Sequence, residues 1–108
     1  MCALHRDFKE LSNGDLTVVG ERGVMLSGGQ RARVNLARAI YRDADLYLLD
    51  DPFSAVDSGV ARHIFEKCIM GYLKGKTTIF VTHQLQFLQK VDSIVFLDRV
   101  SFVDKNIY

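Results

Sequence analysis

Leu26-Ser27-Gly28-Gly29-Gln30 sets a hydroxyl and two glycines where a helix should begin. Serine is a preferred helix N-cap, and glycine lets backbone N–H groups approach an anion with no Cβ in the way. The positive end of the helix that follows, Gln30 to about Arg42, favours negative charge. Together these residues describe a place to grip a phosphate, although taken alone the stretch also fits an ordinary capped helix. Three further groups could carry chemistry. Leu46-Tyr47-Leu48-Leu49 is an apolar run ending in Asp50 and Asp51, the pattern of a buried parallel strand whose carboxyl end opens onto a site. Thr77 to Thr82 repeats that design and delivers His83. Between the two runs, Ser54-Ala55-Val56-Asp57 is a polar turn that follows Pro52 and precedes a helix. A single histidine at a strand end is usually a cap or core residue, and paired aspartates are usually solvated; four such groups in this order are not accidental.

The elements that must position these groups follow from periodicity. Ala3 to Leu11 predicts a short helix with Leu4, Phe8 and Leu11 on one face, ended by Ser12-Asn13-Gly14-Asp15. From Ser58 to Ile69, the residues Val60, Ala61, Ile64, Phe65, Cys68 and Ile69 form the apolar face of an amphipathic helix. Cys68 is then a packing residue rather than a ligand. A short helix holding Leu85 and Leu88 is expected after His83, and Ser93 to Leu97 reads as a further strand. Arg31, Arg33, Arg38 and Arg42 fall mostly on the helix that begins at Gln30, where a solvated face is expected rather than a nucleic-acid patch.

Composition bounds the class. The chain has 108 residues, 48% hydrophobic and 25% charged, enough for one core. A net charge of +1 provides no broad field for nucleic acid or an anionic membrane. No apolar run reaches the length that spans a bilayer, and no signal peptide opens the chain. Cys2 and Cys68 lack metal-ligand spacing, and two thiols alone predict a reduced, cytosolic setting.

In order, the four groups resemble the nucleotide-binding domain of an ABC transporter, over roughly Asp15 to Asp98. The signature motif is Leu26 to Gln30, Walker B is Leu46 to Asp50, the D-loop is Ser54 to Asp57, and the switch histidine is His83. The surrounding wording, Val19-Gly20-Glu21-Arg22-Gly23, Ala32-Arg33-Val34-Asn35-Leu36-Ala37-Arg38-Ala39 and Asp50-Asp51-Pro52-Phe53, is similar to subfamily C, the multidrug resistance-associated group. Most ABC domains carry Glu directly after the Walker B Asp, as general base or to position the attacking water. Asp51 is shorter by one methylene, and general-base geometry is unforgiving. An Asp there is typical of the first nucleotide-binding domain of subfamily C.

The resemblance implies an α/β fold, a partial P-loop NTPase domain with a parallel-sheet core, flanking helices and part of the helical signature subdomain. Residues 1–44 would belong to that subdomain and 45–98 to the ATPase core, with 99–108 a divergent tail. The cofactors implied are ATP and Mg2+. Ser27, Gly28 and Gly29 would meet the γ-phosphate of an ATP held by the partner's Walker A loop, Asp50 would orient Mg2+ through water, and His83 would hold the γ-phosphate on its own domain. Asp57 would connect the two sites. The partners implied are the second nucleotide-binding domain and membrane-spanning domains, at the cytosolic face of a membrane, with no nucleic acid. The activity implied is ATP-driven export of organic-anion or drug-like substrates. Walker A itself is expected upstream of Met1. Gly71-Tyr72-Leu73-Lys74-Gly75-Lys76-Thr77 has three residues between its glycines where G-x-x-x-x-G-K-[ST] needs four, and it leads from helix into strand. It is expected as an exposed connector. Residues 99–108 lack the family's turn glycine, as at the end of a truncated transcript or gene model. Two alternatives stand beside the transporter: an inert fragment that only docks on an intact domain, and an SMC or DNA-repair ATPase, which would need coiled-coil heptads that do not occur.

Overall fold

Two parallel strands form the centre, because each is a short apolar run with a helix between them long enough to cross back. The computed structural model describes residues 1–97. Strand β1 is Leu46–Asp50 and β2 is Thr77–Val81, paired in register from Leu46 opposite Thr77 to Asp50 opposite Val81. Both strands therefore end together, and the residues that follow them lie side by side.

Among the described residues three α-helices accompany the sheet. Helix α1 is His5–Glu10, α2 is Gly28–Tyr41, and α3 is Ser58–Ile64. Helix α2 buries Leu36 and Ile40, and the turn from it into β1 is pinned by Tyr47, whose hydroxyl donates to Arg42 O at 2.9 Å and accepts from Ala44 N at 3.2 Å. Four phenylalanines fill the space under the sheet. Phe53, Phe65, Phe80 and Phe87 pack with ring centroids 4.5 Å apart at the closest pair and 6.0 Å at the widest, an arrangement in which aromatic quadrupoles add to simple burial. Ala61, Ile64, Cys68 and Leu73 complete this core, with Cys2 at its margin.

Several sequence expectations are met. The helix after Ser27 and both strands lie where expected, and Cys68 is a buried packing residue and a free thiol; of the exposed connector expected over Gly71 to Thr77 only 73–76 is a turn, and Leu73 is buried because it joins the core. Others are corrected. Helix 58–69 is two pieces: beyond Ile64 the coil loosens to π-helical pitch over Phe65–Tyr72, which keeps Phe65, Cys68 and Ile69 all inside. In α1 the buried residue is Asp7, while Phe8 is exposed; a salt bridge, described below, overrides the apolar face. After His83, Leu85–Lys90 is a 3₁₀ helix, whose three-residue turn points Phe87 inward and leaves Leu85 exposed. Ser93 to Leu97 forms no strand: Ile94, Val95, Phe96 and Leu97 are exposed and have no ladder partner to hold them. The expected tail, 99–108, lies outside the described residues. Neither strand is buried on both sides: β1 alternates, with Tyr47 and Leu49 inside and Leu46 and Leu48 exposed, and β2 alternates between half-buried Thr78 and Phe80 and exposed Ile79 and Val81.

Candidate functional site

At the start of α2 the sequence Ser-x-x-Gln closes a capping box. Ser27 Oγ accepts from Gln30 N at 3.2 Å, and Gln30 Oε1 accepts from Ser27 N at 2.9 Å. Two of the helix's orphan donors are thereby satisfied. The Ser27 hydroxyl hydrogen stays available to donate outward, and Ser27 and Gly28 are exposed at the positive end of a 14-residue helix. An anion placed there would meet a hydroxyl donor and backbone N–H groups.

Gly29 must be glycine for a packing reason. A Cβ at that position would stand 2.9 Å from Ala55 O, and one at Gly28 would touch the Ala55 side chain at 3.6 Å. The signature and the turn Ser54–Asp57 are therefore one continuous surface. That turn is anchored by Phe53, which is 1% exposed, and is closed by hydrogen bonds from Ser54 N to Asp51 O and from Val56 N to Phe53 O. Asp57 ends it as the N-cap of α3, accepting from Val60 N at 3.0 Å.

The second grouping sits at the carboxyl ends of the strands. Asp51 continues the ladder by donating its N–H to Val81 O at 2.9 Å, then turns into the left-handed region with φ +40°, a conformation that a non-glycine residue adopts at a cost. The turn aims its carboxylate at His83, with Oδ2 3.1 Å from Nδ1. Gln84 ties the same loop to the D-loop by donating from Nε2 to Phe53 O at 3.3 Å. Asp50 is exposed at the end of β1. Among the described residues no three His, Cys, Asp or Glu side chains cluster as a metal cage. Mg2+ on a nucleotide needs only one or two carboxylates beside phosphates and water. Asp51 Oδ1, buried and without a hydrogen-bond donor, fits a cation or its water shell, and the preceding Asp50 is open to solvent.

The structure thus joins the signature to the D-loop and joins Asp51 to His83. Among the described residues no hydrogen bond or ion pair links Ser27 to Asp50, Asp51 or His83. Leu26, next to Ser27, lines a groove with Leu4, Phe8, Gln30 and Val34.

Sequence reading missed Asp7. Its carboxylate accepts from Arg33 Nη2 at 2.7 Å on both oxygens and from Gln30 Nε2 at 3.1 Å. Burial opposes the Asp7 charge, but the hydrogen bonds from Arg33 and Gln30 outweigh it and hold its pKa below the ordinary carboxylate value. Arg33 is correspondingly withdrawn from the solvated arginine face expected of it, its side chain only 12% exposed, while Arg31, Arg38 and Arg42 remain in solvent. The available signal was the i, i+3 spacing of Gln30 and Arg33, which gives both one neighbour but does not say which.

The family model described as ABC transporter matches residues 3–54. The chain is 59% identical over 107 residues to human ATP-binding cassette sub-family C member 4, covering 99% of this chain and 8% of that protein. It is 62% identical over 96 residues to the probable multidrug resistance-associated protein lethal(2)03659 of Drosophila melanogaster, covering 89% and 7%. With rat ATP-binding cassette sub-family C member 2 the identity is 53% over 109 residues, covering 99% and 7%. The chain spans less than a tenth of the length of these relatives. A capped helix at Ser27, two parallel strands whose carboxyl ends lead into Asp51 and His83, and these identities place the chain in the ABC transporter family, in its subfamily C.

Proposed function

We propose that residues 1–108 form the C-terminal part of the first nucleotide-binding domain of a subfamily C transporter, and that they serve two different ATP sites. In this reading residues 1–44 are helical subdomain and 45–98 ATPase core. Ser27, Gly28 and Gly29 close over the γ-phosphate of an ATP held by the second domain, while Asp50, Asp51 and His83 line the first domain's own site. The observation that supports the reading is the closeness of Gly29 to Ala55, where a Cβ would stand 2.9 Å from Ala55 O: signature and D-loop adjoin in one surface, the kind a facing domain can close upon. Asp57 lies at the end of that surface.

The chemistry follows from the groups present. Phosphoryl transfer is catalysed mainly by positioning and by charge stabilisation. The Ser27 hydroxyl and the α2 N-terminus donate to phosphate oxygens. Asp50, through water, and Asp51 would hold Mg2+, which would supply charge neutralisation to the phosphates. His83, oriented by Asp51 through Nδ1, would turn Nε2 toward the γ-phosphate of its own site. Asp51 reaches less far than the glutamate usual at this position, so the first site hydrolyses weakly and the site completed by Ser27 hydrolyses well. The full protein, on this reading, exports organic-anion or drug-like solutes from the cytosolic face of a membrane through membrane-spanning domains outside these residues. Among the described residues no helix is long and apolar enough to cross a membrane.

Steady-state ATP turnover of three variants of the intact transporter tests the assignment. Ser27→Arg places a long side chain where the γ-phosphate sits and should remove most turnover. Asp51→Asn should have a small effect, and Asp51→Glu should add hydrolysis at the weak site. Equal damage from Asp51→Asn and Ser27→Arg would make Asp51 a working base and overturn the two-site reading.

A further inference from the structure

We infer that Asp7 is a positioning residue for the signature serine, acting through the orientation of the Gln30 side-chain amide. The inference rests on the proposed function of Ser27 and adds to it the residue that holds Ser27 in place.

The argument is one of donor and acceptor polarity. An ionised carboxylate only accepts hydrogen bonds, and a backbone N–H only donates. Gln30 lies between one of each. Its Nε2 donates to Asp7 Oδ1 at 3.1 Å, so its Oε1 must face the other way, where it accepts from Ser27 N at 2.9 Å. Ser27 Oγ in turn accepts from Gln30 N, which directs the hydroxyl hydrogen outward. The acceptor at Asp7 and the donor at Ser27 N thus agree on which end of the Gln30 amide meets the signature. Arg33 keeps the Asp7 charge in place: it binds both carboxylate oxygens at 2.7 Å, and both side chains are 12% exposed, so the pair is largely shielded from water. Arg33 also approaches the signature itself, since a Cβ on Gly29 would lie 3.4 Å from Arg33 Nη1. One carboxylate on α1 therefore meets two residues of α2 one helical turn apart, and it reaches the exposed serine through a single amide.

The same polarity gives the test. In Asp7→Asn the new side-chain amide can donate toward Gln30, which invites Gln30 to rotate and turn its own NH2 against Ser27 N–H. Gln30→Glu alone sets two carboxylates face to face. Combining the two changes restores an acceptor at both ends of residue 30 and a donor at residue 7. In the intact transporter, kcat per ATP-binding molecule is measured well below each variant's thermal midpoint, which a role in folding alone would leave unchanged. Each single variant should lose about ten-fold in kcat, the scale of one hydrogen bond to a charged group, and the double variant should recover most of it. If Asp7→Asn does not accumulate in folded form, recovery of a folded, active transporter by adding Gln30→Glu supports the inference and failure to recover overturns it. A double variant no better than the worse single one also overturns it. Ser27→Arg, run alongside, separates the two layers: if it abolishes turnover while Asp7→Asn matches wild type, only the Asp7 inference fails. If Ser27→Arg leaves turnover intact, the proposed function fails and the Asp7 inference fails with it.

Discussion

Gly29 shows how narrow the tolerances are at the residue scale. Its missing Cβ is what allows Ala55 O to sit against the start of α2, and the steric conflict in Gly29→Ala cannot be relieved by rotating a side chain, because the atom it meets belongs to the backbone. Overpacking of this kind costs about 1–3 kcal/mol. Chemical unfolding of the intact domain should show a loss in that range for Gly29→Ala, and a loss below a few tenths would mean that the two loops are not in contact. Ser27→Ala removes a cap and should cost about 1 kcal/mol, so its effect on ATP turnover must be read against its effect on stability. Residue chemistry was the most legible level of this sequence. Ser27, Gln30, Asp50, Asp51 and His83 announce themselves because a cap, a strand end and a carboxylate pair are local patterns. Asp7 was illegible because its role depends on a partner 26 positions away.

At the scale of elements, α1 and α2 are joined by the Asp7–Arg33 pair, and that joint is sensitive to acid. The folded-state pKa of Asp7 is lowered below its ordinary value of 3.8. Its contribution to stability is therefore fully present above that value, and it disappears as pH falls through the lowered folded-state value. The stability difference between wild type and Asp7→Asn should be constant near neutrality and shrink once pH drops below about 4. A difference unchanged at strongly acidic pH would show that the carboxylate charge contributes nothing. Helices α2 and α3 and both strands could be read from spacing because cap, period and apolar run agree for each. The failures share a cause. A short helix holding Leu85 and Leu88, and a face of α1 holding Phe8, follow from counting apolar residues, but the 3₁₀ turn buries Phe87 instead and α1 buries Asp7. Ile94 to Leu97 has strand composition, yet a strand exists only with a neighbour to bond to.

For the whole molecule the informative surface is the uncovered face of the sheet. Leu48 is 69% exposed, and Ile79 and Val81 are each 53% exposed; contiguous apolar surface of this kind marks an interface. Expressed alone, the 108-residue chain should self-associate, and sedimentation should show species larger than a monomer. A monomeric chain with a cooperative unfolding transition would count against this. The same chain has no G-x-x-x-x-G-K-[ST] loop in its sequence, so it should turn over no ATP unaided. The central claim is that the signature serves an ATP held by another domain, and proximity tests it most directly. In the intact transporter, with Ser27→Cys and a second cysteine introduced into the Walker A loop of the second nucleotide-binding domain, disulfide formation is followed with and without Mg-ATP. The two-site account predicts a cross-link that forms readily when ATP is bound and slowly when it is absent. No cross-link in ATP, or one that forms only to the first domain's own Walker A loop, would contradict it.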